Sequence, residues 1–519
     1  MIKEVEIKVT PDRLHDEVYI TQQLYRELKV KRDKKLHYKV KKRSLDARKG
    51  RPKFVLRILV GVDQEVKTDA DEMWISFKQA EKGKDVLIIG AGPAGYFAAL
   101  ECIELGLRPV IIERGKDVQM RRRDLKAIQQ DGIVNPNSNY CFGEGGAGTY
   151  SDGKLYTRSK KRGKILKTLK LLVDHGANPD ILIDAHPHIG SNKLPKIIAA
   201  IRETIIKYGG EVRFDSKVVD FIISNKTCEG VVLENGDEVR GEQVILATGH
   251  SARDIFHILH KKNVLIEPKP FAIGIRIEHP QALIDEIQYK QRPREENLPA
   301  APYSLVSQID KVGVFSFCMC PGGLIVPAAT APGEIVVNGM SLSKRDSPYA
   351  NSGIVTAVST EELQGHGYEG LFGNMDFQQE VEQRVFAHGD GSQKAPAQNL
   401  IDFCNGVEML PVSDSSYIPG IYAAPLHDLL PDFIYERLRD GLLTFAHKMK
   451  GYYTNEANVV AVESRTSSPI RIPRDRATCM HPEIKNLYPC GEGAGYAGGI
   501  LSAAMDGQRV VKAIYETIQ

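Results

Sequence analysis

One segment, KDVLIIGAGPAGYFAALECIELGLRPVIIERG, constrains the fold of this 519-residue chain more than any other. An apolar strand, a glycine turn, an alanine-rich helix and a second apolar strand follow one another in it. This order predicts one βαβ unit of a buried parallel sheet. Gly90, Gly92 and Gly95 form the turn GAGPAG directly before the helix. Such a turn lets the backbone approach a pyrophosphate at a helix N-terminus, so the segment predicts a Rossmann-type, dinucleotide-binding α/β domain.

A carboxylate completes this unit, because Glu113 ends the second strand. An acid at this place accepts hydrogen bonds from an adenosine ribose and repels a 2′-phosphate. It therefore favours FAD or NAD over NADP. The alternative is a purely structural glycine turn. Since the bare glycine pattern occurs twice more in the chain, the prediction depends on the strand, the helix and the acid together.

The two further glycine patterns have different surroundings. Gly143, Gly145 and Gly148 have no clear strand before them and no helix after them, which predicts a loop. Gly493, Gly495 and Gly498 lie between the strand LYPCG and a last helix. No room remains there for another complete dinucleotide fold. We expect this strand and helix to complete the first sheet; packing alone is the alternative reason for these glycines.

Several motifs carry a resemblance to known flavoproteins. GAGPAG with Glu113, the ATG of Ala247 to Gly249 and the terminal CGEGAGYAGGI resemble proteins with a glutathione-reductase-like FAD fold. In that group the ATG strand passes under FAD, and a terminal motif, usually Gly-Asp, binds its diphosphate and ribitol. More closely, and over essentially the whole chain, CFGEGGAGTYSDGKL, DAHPHIG, ATGHSARDIF, FCMCPGG and VESRTSSPIRIPRD resemble a bacterial family of predicted FAD-dependent dehydrogenases with an N-terminal α+β domain.

The resemblance and the motifs together predict noncovalent FAD and a set of residues around it. These are Gly90, Ala91, Gly92, Pro93, Ala94, Gly95, Glu113, Arg114, Gly146, Ser151, Asp152, Gly153, Lys154, Ala247, Thr248, Gly249, Gly491, Glu492, Gly498, Gly499 and Ile500. Glu492 takes the place of the usual Asp and is expected near the ribityl or pyrophosphate portion. The last helix would point its N-terminus at the pyrimidine edge of the flavin.

The domain organisation follows from the order of these patterns. An N-terminal basic α+β domain is expected at 1–84, with a β-α-β-β sequence of elements. The FAD-binding domain is discontinuous, with its first part at 85–265 and its C-terminal part at 465–519. A mixed α+β substrate domain occupies 266–464, where Pro- and Gly-rich loops alternate with strands such as VGVFSFCM and helices such as FQQEVEQRVF.

Candidate catalytic residues lie outside the glycine turns. Lys154 would place a positive charge near N1 and O2 of the flavin, unless it is a solvated surface lysine. His186 and His188 flank Pro187 and are candidates for proton transfer, or else loop or core histidines. With no third ligand visible, the two histidines do not predict a metal site.

Two further groups of residues have both a structural and a functional interpretation. Cys318 and Cys320 are expected on one face of a strand, as structural thiols or as redox or substrate groups. Arg276 and Glu278 project to one strand face, as do Arg465 and Ser467 if ESRTSSP is extended. Either arginine holds a carboxylate substrate, or the residues form buried structural pairs.

Charge and composition limit the partners. The net charge is +3, but Lys29 to Arg57 holds 14 Lys and Arg against Asp33 and Asp46. This run is a solvated basic face or a site for an anionic partner such as RNA. No apolar run approaches the roughly 20 residues of a membrane span, and the first residues lack the pattern of a secretory signal. We therefore expect a cytoplasmic protein.

These patterns favour an FAD-dependent oxidoreductase of the dehydrogenase type, which transfers a hydride between FAD and an organic substrate. NAD(P)H is a possible external electron donor. Disulfide reduction is disfavoured, since the chain has no CxxC pair and no second complete glycine-rich βαβ unit. The alternatives are an RNA-associated flavoprotein and a non-catalytic FAD sensor.

Overall fold

A computed structural model describes residues 2–48, 50–156, 164–407 and 411–519. The N-terminal elements are β1 (Ile2–Val9), α1 (Glu17–Leu28), β2 (Leu36–Asp46) and β3 (Lys53–Val62). They form an antiparallel sheet in the order β1-β3-β2, which confirms the β-α-β-β sequence of elements. The helix begins at Glu17 because the Asp16 side chain accepts a hydrogen bond from the Tyr19 N–H, an N-cap.

The FAD-binding part contains one parallel sheet with helices on its faces and an antiparallel insert. The short helix α2 (Asp69–Glu72) precedes this part. In chain order its own elements are β4 (Asp85–Ile89), α3 (Pro93–Leu105), β5 (Arg108–Ile112), α4 (Val118–Gln130), α5 (Ile165–Asp174), α6 (Leu194–Lys207), β6 (Glu211–Arg213), β7 (Val218–Ser224), β8 (Thr227–Leu233), β9 (Glu238–Arg240), β10 (Gln243–Leu246) and α7 (Arg253–Lys261). Strands β7, β8 and β9 form the predicted β-rich insert.

The middle of the chain contains a larger mixed sheet. The elements of this part of the chain are β11 (Glu267–Pro268), β12 (Phe271–Pro280), α8 (Gln281–Tyr289), β13 (Val306–Ile309), β14 (Val312–Cys320), β15 (Gly323–Pro327), β16 (Val337–Ser341), β17 (Tyr349–Val358), α9 (Thr360–Gly365), α10 (Gly373–His388), β18 (Ala395–Asn399), α11 (Leu400–Asn405), β19 (Ile421–Ala423), α12 (Leu426–Leu429), α13 (Asp432–Lys448) and β20 (Asn458–Glu463). Seven of these strands form one sheet in the order β13-β14-β17-β12-β20-β18-β19.

The chain then returns to the parallel sheet. The last elements are β21 (Ile470–Arg471), β22 (Leu487–Pro489) and α14 (Ile500–Ile518). Strand β22 pairs in parallel with β10, which gives the sheet order β22-β10-β4-β5-β6. Helix α14 packs on α3 so closely that a Cβ on Gly507 would lie 2.1 Å from the Ala94 carbonyl oxygen. The expectation that the terminal strand and helix complete the first sheet is confirmed.

Both faces of the parallel sheet are covered, which explains the unbroken apolar run of β4. Val86 and Ile88 pack in one core with α3, α6 and α14. Leu87 and Ile89 point to the other face and pack with the β-rich insert and α7. Burial on both faces is what a parallel strand requires. Among the described residues, no helix is both long and apolar enough to cross a membrane.

Candidate functional site

The first glycine turn lies between the carboxyl end of β4 and the N-terminus of α3. Gly90 has a φ of +107°, and a Cβ on Gly95 would lie 1.9 Å from the Gly90 carbonyl oxygen. Both positions therefore require glycine. A Cβ on Gly92 would meet only the Cα of Gly146, at 3.9 Å. Gly92 thus faces open space at a helix N-terminus, where a phosphate group fits.

Glu113 is buried beside this turn and accepts three backbone hydrogen bonds. The donors are the N–H groups of Ala91 at 2.8 Å, Gly115 at 2.9 Å and Gly143 at 3.0 Å. A carboxylate has about four lone-pair sites, so one remains for a ribose hydroxyl. Glu113 also ties the second glycine pattern to the first turn, which the sequence pattern did not indicate.

That second pattern is a loop, as expected, with a short 3₁₀ turn at Gly146–Gly148. A Cβ on Gly146 would lie 3.1 Å from the Gly92 Cα, and one on Gly148 would lie 2.9 Å from the Cγ1 of Ile500. The loop therefore lies against the N-termini of α3 and α14 at once. Both helix ends carry partial positive charge, so the junction suits the anionic diphosphate of FAD and the pyrimidine edge of the flavin, where negative charge develops on reduction.

The ATG segment closes the same junction from the side of β10. A Cβ on Gly90 would lie 2.5 Å from the Ala247 carbonyl oxygen, so this segment lies directly against the first turn. Gly249 has a φ of +70°, and no atom lies within 4 Å of the position of its missing Cβ. The backbone beside Thr248 therefore leaves space for a cofactor.

The terminal motif is held by residues that its pattern did not reveal. The Gly491 N–H donates to the Asp506 carboxylate at 2.8 Å, and Asp506 is ion-paired with Arg474 at 2.6 Å. The Glu492 carboxylate lies 3.5 Å from Nδ1 of His250. Asp506 fixes the turn by a backbone contact, so the half-buried Glu492 side chain remains available for a ribityl or ribose hydroxyl. These surroundings fit FAD.

Arg114 is already engaged inside the protein. It donates to both carboxylate oxygens of Asp254 at 2.8 Å and lies over the Phe142 ring, 4.4 Å from its centroid. A contact of Arg114 with the cofactor therefore stays a prediction.

A second part of the site follows the glycine loop, where FAD-domain residues meet the seven-stranded sheet. We call it the charged recess. It consists of Asp152, Lys154, His186, His188, Cys318 and Arg345. In the short segment that leads into it, the Ser151 hydroxyl donates to the Gly148 carbonyl at 2.9 Å. Gly153 has a φ of +73° and packs against the backbone of Ile189. These contacts fix the direction in which Lys154 leaves the loop.

Asp152 is the buried centre of the recess. Its carboxylate accepts hydrogen bonds from the Ser341 hydroxyl at 2.5 Å and from Nη2 of Arg345 at 2.6 Å. Nζ of Lys154 lies 3.5 Å from the same carboxylate and donates to the Met319 carbonyl oxygen. Burial alone would raise the pKa of Asp152, but Lys154 and Arg345 lower it to about 2. Arg345 and Ser341 carry no recognisable motif and were missed by sequence reasoning.

The two histidines of DAHPHIG have different surroundings. Nε2 of His188 lies 3.2 Å from the Ser341 hydroxyl. The one Ser341 proton is donated to Asp152, so Nε2–H of His188 must be the donor in this contact. Burial and then Arg345 lower the pKa of His188 to about 4. His186 reaches solvent, with its ring 5.0 Å from that of Tyr156. Partial desolvation by the surrounding protein, followed by Lys42 and Arg345, lowers its pKa. Proton transfer by either residue stays a prediction.

The expectation that Cys318 and Cys320 share one strand face is wrong. The register of β14 against β17 shifts between Phe317 and Cys320, and Cys318 has a φ of +44°. This irregularity turns the Cys318 side chain to solvent, while Cys320 is buried. Desolvation by the surrounding protein raises the pKa of the Cys318 thiol, although Lys154 and Arg276 oppose the shift. A thiol that solvent reaches but that protein desolvates lies in a recess.

Neither Arg276 nor Arg465 is free for a substrate carboxylate. Arg276 is fully buried, pairs with Glu463 at 2.6 Å and donates to Asn351 at 2.8 Å. Arg465 pairs with Glu382 at 2.7 Å and with Glu334 at 2.9 Å. Glu278 is buried too. Its carboxylate accepts the Ser416 N–H at 3.0 Å. The structure therefore favours buried structural pairing for these groups.

The N-terminal sheet contacts the segment that carries the histidines. The Arg43 N–H donates to the Ile183 carbonyl at 2.7 Å, and the Ala185 N–H donates to the Arg43 carbonyl at 2.9 Å. The Arg43 guanidinium also pairs with Asp184 at 2.7 Å and Asp180 at 3.0 Å. Six cations of the basic run have acidic partners, namely Lys34, Lys39, Lys41, Arg43, Arg48 and Arg57. Lys49 of that run lies outside the described residues.

Comparisons with solved structures find flavoproteins at low similarity. CtdE in complex with FAD is 10% identical, with a TM-score of 0.32 over 84% of this chain and 89% of that one. Glycine oxidase from Bacillus cereus is 13% identical, with a TM-score of 0.30 over 84% of this chain and 96% of that one.

Comparisons of sequence reach further. The family profile described as "FAD binding domain" matches residues 85–121, and "FAD-dependent protein, C-terminal domain-like" matches 270–466. A domain of unknown function, DUF8436, matches 1–61. An uncharacterized protein of Clostridium beijerinckii is 38% identical over 493 residues, which are 92% of this chain and 91% of that one. With the glycine turn, the ribose acid and the parallel sheet in place, these matches show that the chain belongs to the FAD-dependent oxidoreductase family.

Proposed function

We propose that this flavoenzyme is a dehydrogenase, which exchanges a hydride between an organic substrate and noncovalent FAD. When bound, FAD supplies the two-electron redox chemistry. One observation carries the proposal. The half-exposed Lys154 ammonium leaves the same loop that packs on both helix N-termini, and it donates to Met319 of the seven-stranded sheet. A fixed cation thus stands where the cofactor domain and the second sheet meet.

In the recess, one residue stabilises developing negative charge and another transfers the proton. The Asp152 carboxylate holds the Lys154 ammonium in place, so a positive charge is available to stabilise negative charge that develops during reduction. His188 is neutral at neutral pH and is oriented by Ser341. His186 is exposed, so its imidazole can exchange a proton with solvent. We expect His186 to be the proton-transfer group.

The described residues form one dinucleotide-binding sheet, which supports reduction by the organic substrate. The first and the last glycine patterns both serve the sheet β22-β10-β4-β5-β6, and α14 packs directly on α3. The last pattern therefore completes the FAD-binding sheet instead of building a site for a nicotinamide cofactor. NADH or NADPH remains the alternative donor, from solution.

Anaerobic reduction tests the proposal. The purified, FAD-loaded protein should show the flavin band near about 450 nm, and this band should persist after addition of NADH or NADPH. Candidate organic substrates should bleach it. Rapid bleaching by a nicotinamide would instead identify a nicotinamide-driven reductase, and a flavin that no reductant bleaches would identify a sensor.

Lys154→Met supplies a readout that needs no substrate. Loss of the ammonium should lower the midpoint potential of the bound flavin by tens of mV, at about 30 mV per 1.4 kcal/mol for a two-electron couple. The matched control is Lys82→Met, which removes an exposed cation near the amino end of β4, at the opposite edge of the sheet. If the flavin midpoint potential is the same in both variants, Lys154 does not stabilise the reduced flavin.

The basic N-terminal sheet supports a second proposal, binding of an anionic partner such as RNA. Lys31, Arg32 and Lys35 are exposed, and no ion pair is seen for them among the described residues. Replacing all three by Gln should weaken RNA binding and flatten its dependence on salt concentration. Binding by the intact protein that ignores salt would contradict this proposal.

A further inference from the structure

The charged recess has more positive than negative charge at its centre. Among the residues that the structure describes, Asp152 is the one acid that contacts both Lys154 and Arg345. Glu463, which also influences Cys318, is neutralised by its own buried pair with Arg276. Two cations therefore share one carboxylate, and one positive charge is left without an anionic partner in the described part of the chain.

A third cation reaches the recess from the N-terminal sheet. Lys42 is exposed and acts electrostatically on His186, as does Arg345. It adjoins Arg43, whose backbone hydrogen bonds to Ile183 and Ala185 fix this strand against the histidine segment. Lys42 has no acidic partner among residues 2–48, 50–156, 164–407 and 411–519. The recess is thus bordered by positive charge from three separate segments of the chain.

Solvent can reach these charges. The Lys154 side chain is 38% exposed, and the neighbouring Cys318 thiol is exposed as well. The Arg345 side chain is 18% exposed. It uses Nη2 to bind Asp152, and its buried Nε–H has no hydrogen-bond partner in the described structure. Cations that are accessible, clustered and only partly neutralised raise the local concentration of anions.

We propose that the charged recess binds an anionic substrate of the carboxylate class, with Lys154 and Arg345 as the residues that receive the carboxylate. This inference rests on the proposed dehydrogenase function, because it places the organic substrate of that reaction. The half-exposed ammonium is the primary contact. Arg345 sets the geometry, because its guanidinium is anchored on Asp152 and presents the remaining N–H groups in a fixed plane.

Alkylation of Cys318 tests the inference without any turnover. In the FAD-loaded protein, the rate with anionic iodoacetate is compared with the rate with neutral iodoacetamide. Thiolate fraction affects both reagents equally and cancels in the ratio of rates. Relative to a small uncharged thiol, the ratio at Cys318 should be raised about tenfold. Cys318→Ser assigns the signal, since Cys318 is the exposed cysteine of the described residues.

Variants connect the ratio to the cations. Lys154→Met and Arg345→Met should each lower the ratio of the iodoacetate rate to the iodoacetamide rate at Cys318 most of the way to its value for a free thiol. Lys82→Met should leave this ratio unchanged. Benzoate should protect Cys318 and shift the flavin absorption band, and benzamide should do neither. The inference would be overturned if the wild type and the variants gave the same ratio of alkylation rates. It would also be overturned if bound FAD itself shielded the Cys318 thiol from both reagents.

Failure of the inference and failure of the dehydrogenase proposal remain distinguishable. If NADPH bleaches the flavin and Cys318 still reacts preferentially with iodoacetate, the protein has an anion site but a different electron donor from the one proposed. If an uncharged organic substrate bleaches the flavin and Cys318 shows no preference for iodoacetate, the protein is a dehydrogenase whose recess does not select carboxylates.

Discussion

Two ionic clusters lie where the FAD-binding part meets the seven-stranded sheet, and they differ in charge balance and in exposure. The first, which we call the closed cluster, consists of Arg253, Arg465, Glu334 and Glu382. The second is the charged recess. In the closed cluster each arginine pairs with both glutamates, and the side chains are at most 12% exposed. In the recess two cations share Asp152, and Lys154 is 38% exposed.

The difference separates a structural role from a binding role. In the closed cluster, two cations face two anions, so no charge is left to attract a ligand. Burial alone would raise the pKa of Glu382, but Arg253 and Arg465 lower it to about 2. Burial and the neighbouring Glu382 raise the pKa of Glu334 instead. The cluster joins α7 to α10 and to the segment after β20. The recess keeps an accessible surplus of positive charge, which an anionic ligand or a counter-ion from solution can neutralise.

Breaking the closed cluster should have the largest effect. Arg465→Met leaves Glu334 and Glu382 buried with Arg253 alone, and removal of one partner of a buried pair costs about 3–5 kcal/mol. Denaturant unfolding of the FAD-loaded protein should show a strongly lowered midpoint, or no folded protein. Lys154→Met is the matched control and should change the free energy of unfolding by at most about 1 kcal/mol. Similar losses for both variants would erase the distinction between the clusters.

Acid should affect the recess through His188. The pKa of His188 is about 4 in the folded protein, against 6.5 for an ordinary histidine. Below pH 6.5 the unfolded chain binds a proton that the folded protein does not, so this contribution to stability is present above pH 6.5 and is lost as the pH falls to about 4. A shift of this size corresponds to about 3 kcal/mol.

His188→Gln keeps an N–H donor for Ser341 and removes the titration. Between pH 7 and pH 4.5, the wild type should lose up to about 3 kcal/mol more of its free energy of unfolding than the variant. His279, whose pKa is also lowered to about 4, is present in both proteins and cancels from the difference. Identical pH profiles would mean that His188 titrates normally and that the recess is more open to water than its contacts indicate.

The sequence predicts the cofactor cradle far better than the recess. Gly90, Gly92, Gly95 and Glu113 lie in one contiguous βαβ pattern, whose spacing states the chemistry. Asp152 meets Ser341, 189 residues away, and no local pattern marks that pair. The irregularity at Cys318 arises where the strand pairing shifts its register, which alternation alone does not show. Lys154 was identified, but its partner Arg345 required the tertiary structure.

The same contrast between filled and open space holds for two glycines of one turn. A Cβ on Gly95 would collide with the Gly90 carbonyl oxygen, whereas a Cβ on Gly92 would meet only Gly146, at ordinary contact distance. Gly95→Ala should therefore destabilise the protein itself. Gly92→Ala should leave the unfolding midpoint of the cofactor-free protein unchanged but raise the Kd for FAD at least about tenfold, or about 1.4 kcal/mol. Fluorescence titration with FAD measures the latter. An unchanged Kd would place the diphosphate away from Gly92.

The ion pairs of Arg43 lie between the two extremes, and their expected effect is the smallest. The Arg43 side chain is 16% exposed, but its partners Asp184 and Asp180 are 31% and 48% exposed, so water screens the pairs. Arg43→Ala should cost at most about 1 kcal/mol of global stability, because the backbone hydrogen bonds to Ile183 and Ala185 remain. Hydrogen exchange at Arg43 and Ala185, whose N–H groups make those bonds, should nevertheless become faster.

Because this contact places Lys42 beside His186, loosening it should also reduce the preference of Cys318 for iodoacetate. Faster exchange with an unchanged preference would limit the recess to Lys154 and Arg345 and remove the N-terminal sheet from it.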